Sequence, residues 1–499
     1  MELKFETRPC RCLRSVTREV QNVEQTQEMR LQEGLPDIGR VLCAWGQVLL
    51  RGKEWRGDGM SASGGVMVWV LYAPEDGSEP QCVDAWLPFQ GKWIFPETDR
   101  EGVMRLIPLL RSVDARTISA RKMMIRVGIG MLGEALEPFD VQISVPGELP
   151  EGIQLLRNTY PMNLPKEAGE KTFLLDEECS ITTSGQTAVK MIRYELIPRL
   201  IDCKVMAGKL VFRGSGLFHI LFRTQNNEWL SQDLEIPFSQ FAELDEEFGQ
   251  DADAVIDMAV TSLEADLSED GTIRLKCGLV AQYMVSDRVL LELGEDAYSP
   301  NHDVIPHFQE LCLPAILDRR KDNITSEVTL DDGCGRVVDV CFMPDHPKMN
   351  RMGESVSGEL SGIWQLLYED ENGTLQSATR RWERNLNLDA SGDTVLSLTA
   401  GTDGFPTASV SGGRATVKGN LFLDMSAATE RGQMMICALE VGEEKRPDPN
   451  RPSLILRRTE GERLWDLAKI CGTTVSAICQ ANGLSGEPES GRMLLIPVM

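Results

Sequence analysis

This chain of 499 residues carries thirteen cysteines, four histidines and 76 acidic side chains, more than enough to build a catalytic or metal site if their spacing allowed it. The spacing does not. Cys10 and Cys12 form the only close cysteine pair, and no His or further Cys stands near enough in sequence to complete a ligand set. At 169–172, GEKT has the Lys-Thr end of a phosphate-cradling loop, but Glu170 intervenes between Gly169 and Lys171, and Leu164 holds the place of that loop's first glycine. Neither H-E-x-x-H nor G-x-S-x-G occurs, and His302 and His307 sit about a Pro-containing connector. The acidic run ELDEEFGQDADAVID (243–257) lacks the D-x-D-x-D-G order of a calcium loop and reads as a solvated face. The expectation is therefore a protein that is not an enzyme, with no catalytic residue, no metal and no cofactor.

Binding chemistry is concentrated instead at the C-terminus, in GERLWDLAKICGTTVSAICQANGL (461–484). Leu464, Leu467, Ala468 and Cys471 fall at i, i+3, i+4 and i+7, one face of a helix that Gly472 ends. Thr473 or Thr474 can cap a second helix with Val475, Ile478 and Ala481 on its buried side, closed by Asn482-Gly483 in a left-handed cap. Strand-like SLILRR (453–458) precedes this pair and RMLLIPV (492–498) follows it. Strand, helix, helix, strand in so short a span is a two-layer unit with a very small core. Upstream of it, EEKRPDPNRP (443–452) reads as a Pro-rich, semi-rigid spacer.

Charge narrows the partners. The net charge is −25, yet residues 453–499 contain five Lys/Arg and five Asp/Glu, so all the excess acid lies upstream of the tail. Such a surface repels phosphate backbones and anionic lipids, which excludes nucleic acid and direct membrane insertion as expected partners. The start MELKFETRPCRCLRSV has no apolar leader core, and the apolar run Val66–Tyr72 is far too short to cross a bilayer. Thirteen cysteines without framework spacing read as reduced thiols, so a cytoplasmic protein is expected.

What must position the tail is a chain that repeats itself. VMVWVLYAPEDGSEPQCVDAWLPF (66–89), LFHILFRTQNNEWLSQDLEIPF (217–238) and IWQLLYEDENGTLQSATRRWE (363–383) each run from an apolar strand through Leu plus an aromatic into a polar turn and a half-polar strand. The anchors Tyr72, Phe222 and Tyr368 lie 150 and 146 residues apart, a domain-sized period. Turn-then-strand segments follow in the same order at 119–131, 269–285 and 411–425. The fold class read from this is mainly β: three tandem β-sandwich-like modules at 1–150, 165–300 and 308–442, then the small βααβ unit at 453–499. Segments 146–171 and 298–314 read as linkers, and IRYELIPRLID (192–202) as a short helix. Period-2 alternation puts Val68, Val70 and Tyr72 on one face, where packing explains them. It puts Trp69, His219 and Gln365 at equivalent places on the other face, with chemistries too different for a repeated ligand site.

The tail resembles a LysM domain, carried by L-W-D-L-A-K-x-x-G-T-T-V-x-x-I-x-x-A-N-G-L and then G-R-M-L-L-I-P. That resemblance implies a groove for N-acetylglucosamine-containing glycan between the loop before helix one and the loop after helix two. On this chain the implied binding residues are Gly461, Glu462, Arg463, Leu464, Trp465, Asn482, Gly483, Leu484 and Ser485. Where the family has Gly-Asp-Thr with a capping Thr, this chain has Gly461-Glu462-Arg463, so the cap is lost or supplied by Glu462, and the longer side chains alter the rim. The upstream modules look like SPOCS domains, most clearly module two, with G-L-F-H-I-L-F (216–222), L-E-I-P-F-S (234–239) and D-A-Y-S-P (296–300). Module one keeps Leu87-Pro88-Phe89, while module three has Arg381-Trp382-Glu383 in that place and is divergent. Three such modules and a LysM tail resemble the SipL-type spore morphogenetic proteins. The resemblance implies a mother-cell scaffold of coat assembly at the forespore surface, with a coat morphogenetic ATPase and other coat proteins as partners. Peptidoglycan glycan is the alternative partner.

Overall fold

The computed structural model describes residues 2–498 except 99, 146, 148, 184–185, 207, 332, 353–354, 389–393, 430–431 and 446–451. Its chain is mainly β, with two short helices near the C-terminus. One six-strand pattern occurs three times. In the first, strands Ile38–Arg56, Gly59–Pro74 and Gln81–Ile94 form a meander, while Glu6–Arg30 pairs with Lys122–Val145, which pairs in turn with Val103–Ser119. In the second, the meander is Gln186–Met206, Lys209–Thr224 and Trp229–Glu243, and the other sheet joins Gln154–Ser180, Thr272–Tyr298 and Asp253–Leu267. The third, divergent in sequence, keeps the same order: Cys334–Pro344, Ser355–Asp370 and Leu375–Leu388 in the meander, and Ile316–Leu330, Arg414–Thr429 and Thr394–Thr402 opposite. In each, the first strand pairs with the last within one sheet, and that sheet packs on the meander through buried side chains.

The anchors do pack inward. Tyr72 and Phe222 are fully buried and Tyr368 nearly so, each beside a buried Leu71, Leu221 or Leu367. Two glycines mark the equivalent close approach in the first two modules. A Cβ on Gly64 would lie 2.1 Å from the Leu49 carbonyl oxygen, and one on Gly214 would lie 2.2 Å from that of Arg199, each also striking a Phe ring (Phe89 or Phe238). Gly214→Ala is accordingly expected to cost about 3 kcal/mol, read as a lower urea midpoint. An unchanged midpoint would mean that the strands separate here without penalty.

Three expectations are corrected. Residues 192–202 are strand, not helix: they lie within Gln186–Met206, where Pro198 would break a helix and where Ile192, Arg193 and Leu196 are buried. Segment 146–171 is largely no linker, because the strand Gln154–Ser180 runs through it, paired over its length with Thr272–Tyr298. Its prolines are tolerated because, among the described residues, its far edge pairs in a ladder only at Asn163–Ile316. Segment 298–314 likewise contains the strand His302–Leu311, which pairs with Gln433–Glu444, itself paired on its other side with Glu2–Lys4. That small sheet draws together the start of the first module, the exit of the second and the exit of the third. The spacer expected at 443–452 begins as the end of strand Gln433–Glu444, and its residues 446–451 fall outside the described set.

The modules touch pairwise, and this contact covers Trp69 and His219; Gln365, at the equivalent place in module three, is buried as well. Trp69 meets Tyr194 with ring centroids 4.9 Å apart, joining modules one and two, as does Gln282, which bonds Leu106 N–H at 2.9 Å. His219 reaches Asp339, and Arg336 Nη1 donates to Trp229 O at 3.1 Å, joining two and three. Asp345 pairs with Arg111 at 2.8 Å, closing three onto one. A cavity of about 480 Å³ sits where all three meet, lined by Gln47, Leu109, Ile197, Met258 and Met343 among others.

Candidate functional site

The tail is built as its periodicity requires. Strand Leu454–Arg458 pairs antiparallel with Met493–Pro497, and between them stand α1 (Leu464–Cys471) and α2 (Val475–Asn482). Leu464, Leu467, Ala468, Cys471 and Ile478 are buried against Leu494 and Ile496. Gly472 and Gly483 both adopt the left-handed conformation, each at φ 62°, and end their helices. Of the two threonines, Thr474 is the cap, accepting from Ala477 N–H at 3.1 Å. Ala481, expected inside, is exposed, and the half-buried Cys479 packs in its stead.

The loops that flank the expected groove meet through a residue outside the nine. Leu464 N–H donates to Glu487 Oε2 at 2.8 Å, so the carboxylate that compensates the start of α1 comes from the loop after α2. Glu462, the expected substitute, instead accepts from Arg457 Nη2 and Glu460 N–H, both at 2.7 Å. The Glu460 and Arg457 contacts hold its carboxyl below the usual range. Arg463 occupies the cap position without a side-chain cap bond and turns to Asp466 at 3.2 Å. Glu487→Ala is expected to cost about 1 kcal/mol, seen as faster amide exchange in the first turn of α1; unaltered exchange there would remove Glu487 from this role.

The remaining positions divide between frame and rim. Asn482 is structural: its amide donates to Ile478 O at 2.8 Å and Leu495 O at 2.6 Å, and its oxygen accepts from Leu495 N–H at 2.7 Å. Leu484 is half-buried, and Gly461, Arg463, Gly483 and Ser485 are exposed. Trp465 is buried, but only in part by the tail itself. Its Nε1–H donates to Asp296 Oδ2 at 2.8 Å, and its ring meets Tyr298 edge-on, with centroids 4.8 Å apart. Lys469 Nζ bonds the same carboxylate at 2.7 and 2.8 Å, and the Tyr298 hydroxyl donates to Thr473 O at 2.9 Å. Burial opposes charge on Asp296, yet the bonds from Lys469 and Trp465 prevail and its carboxyl lies below the usual range. Burial pushes the Tyr298 phenol up to about 12. The tail is thus seated on the last strand of module two, the strand whose end carries D-A-Y-S-P. Neither Asp296 nor Tyr298 stood out as a partner of Trp465, because they lie more than 160 residues away; the only signal was the motif itself.

A family model described as the LysM domain matches residues 459–497. No curated protein and no solved structure matches the chain. The match agrees with the strand-helix-helix-strand geometry and supports a glycan- or peptidoglycan-binding module at this end of the chain. Among the described residues no helix is long and apolar enough to cross a membrane.

Proposed function

With residues 459–497 a LysM domain, we propose that this protein is a non-enzymatic adaptor of spore-envelope assembly, in which three SPOCS-like modules carry protein contacts and the LysM tail docks to a forespore-surface morphogenetic ATPase. The observation that supports protein rather than sugar as the tail's ligand is the seat itself: the Trp465 face of the LysM unit already makes a protein contact, with a carboxylate and an aromatic. Glu487, set between the two loops on Leu464 N–H, agrees with that reading, since a sugar acetamide seeking that donor would have to displace it. The mother-cell cytosol at the forespore surface is the location this function requires.

The test offers the full-length protein in parallel to spore peptidoglycan, in a sedimentation assay, and to purified polymerised ATPase of the forespore surface. Retention on the polymer without sedimentation on peptidoglycan is the expected result. Sedimentation with peptidoglycan that chitin oligomers compete away would replace it with the second reading, a glycan-binding protein, which the LysM match itself favours.

A further inference from the structure

The contact between the tail and module two has the chemistry of a specific interface. Asp296 receives two donors from the tail, Trp465 Nε1–H and Lys469 Nζ, and Tyr298 both meets Trp465 edge-on and donates to Thr473 O. Leu156, from the neighbouring strand, completes the apolar part. The only covalent connection between the tail and this seat is the chain around 445–453. Lys445 is pinned beside the seat, its N–H on Asn301 O at 2.7 Å and its Nζ on Ser299 O at 3.1 Å. From there seven residues, 446–452, lead to the tail, enough to span at most about 25 Å.

Every copy of the chain carries the same seat and the same tail, so a contact made within one molecule can be made between two without any new surface. We propose that the partner this seat fits, besides the molecule's own tail, is the tail of a second copy, and that at high local density the chains exchange LysM tails reciprocally. In dilute solution the tether keeps the tail's effective concentration at its own seat near the millimolar range, which favours the closed monomer. A scaffold concentrated on a surface approaches that density. The net charge of −25 opposes close approach of two copies, so added salt favours exchange until it weakens the Lys469–Asp296 pair. The exchange does not depend on the adaptor reading: a chain that bound neither polymer nor peptidoglycan would still swap tails.

A charge-inversion pair tests it. Asp296→Lys inverts the seat and Lys469→Glu inverts the tail, so in either variant alone the two like charges face each other and the tail is released. Mixed in equal amounts, the intact tail of the first matches the intact seat of the second, and the two inverted partners match each other. Sedimentation velocity at tens of micromolar is expected to show each variant alone at one chain mass, 55.5 kDa, and the mixture at twice that mass. Combining both substitutions in one chain is expected to restore the closed monomer. Hydroxyl-radical footprinting of Trp465 reports release independently, with labelling expected to rise several-fold in each single variant. A mixture that stays monomeric while Trp465 is exposed overturns the exchange. Trp465 staying protected in both single variants overturns it as well, since the tail would then be held by something other than this seat.

Discussion

Asp339→Ala is expected to lower the unfolding free energy by about 3 kcal/mol, because it removes the carboxylate shared by two buried cations and leaves Arg193 with Glu195 alone and His219 with Asp233 alone. Asp339 has no exposed side-chain surface; it accepts from Arg193 Nε at 2.7 Å and from Arg193 Nη2 at 3.1 Å, and it lies 2.8 Å from His219 Nε2. His219 Nδ1 lies 2.6 Å from Asp233, so the imidazole bridges two carboxylates across the contact of modules two and three. Burial and the nearby Arg193 disfavour charge on His219, but the two aspartates outweigh them and raise it to about 9. The same cations hold Asp339 far below the usual carboxylate range against its burial. A raised pKa in the folded state means that stabilisation by His219 is complete below about 6.5, its unfolded value, and is lost as pH rises through about 9, a loss of about 3 kcal/mol at 1.36 kcal/mol per pH unit. The contribution of Asp339, depressed in the folded state, is lost only in acid. Denaturant unfolding of the wild type should therefore weaken between pH 6.5 and 9, and His219→Gln should flatten that slope. A wild-type profile level across this window would show that the His219 bridge contributes nothing.

Trp465→Ala is the second large effect, expected at about 3–5 kcal/mol for loss of a buried indole. Its consequence is local. The LysM unit has a core of few residues, Leu464, Leu467, Ala468, Cys471 and Ile478 with Leu494 and Ile496, and so small a unit has little stability to lose. Amide exchange across α1 and α2 should rise to the unprotected rate while the strands of the three modules keep their protection. Trp465→Phe separates packing from hydrogen bonding: it retains most of the ring and loses only the Nε1–H to Asp296, worth about 1.5–3 kcal/mol because the acceptor is charged. That variant should keep the tail folded and loosen its seat. Continued protection of α1 in Trp465→Ala would show that the indole serves the rim alone.

Local pattern was enough to determine the tail of this protein. The apolar positions 464, 467, 468 and 471, the cap Thr474 and the two left-handed glycines act within a few residues of one another, and short-range stereochemistry leaves few alternatives. The repeated Leu-aromatic anchors were legible for the same reason, as period-2 alternation records which face is buried. Residues 154–171 and 192–202 were misread where proline or apparent helical spacing obscured a strand whose partner lies elsewhere in the chain. Only the tertiary structure decided what faces Trp465 and what faces His219. Asp296 and Tyr298 stand 169 and 167 residues before Trp465, and Asp339 stands 120 residues after His219, so no periodicity links them. At equivalent positions of the repeat the chain places Trp69, His219 and Gln365, side chains that look unrelated until the modules close on one another. Trp69 and His219 then answer different neighbours, Tyr194 and Asp339, because a contact between non-identical modules selects complementary chemistry rather than repeated chemistry.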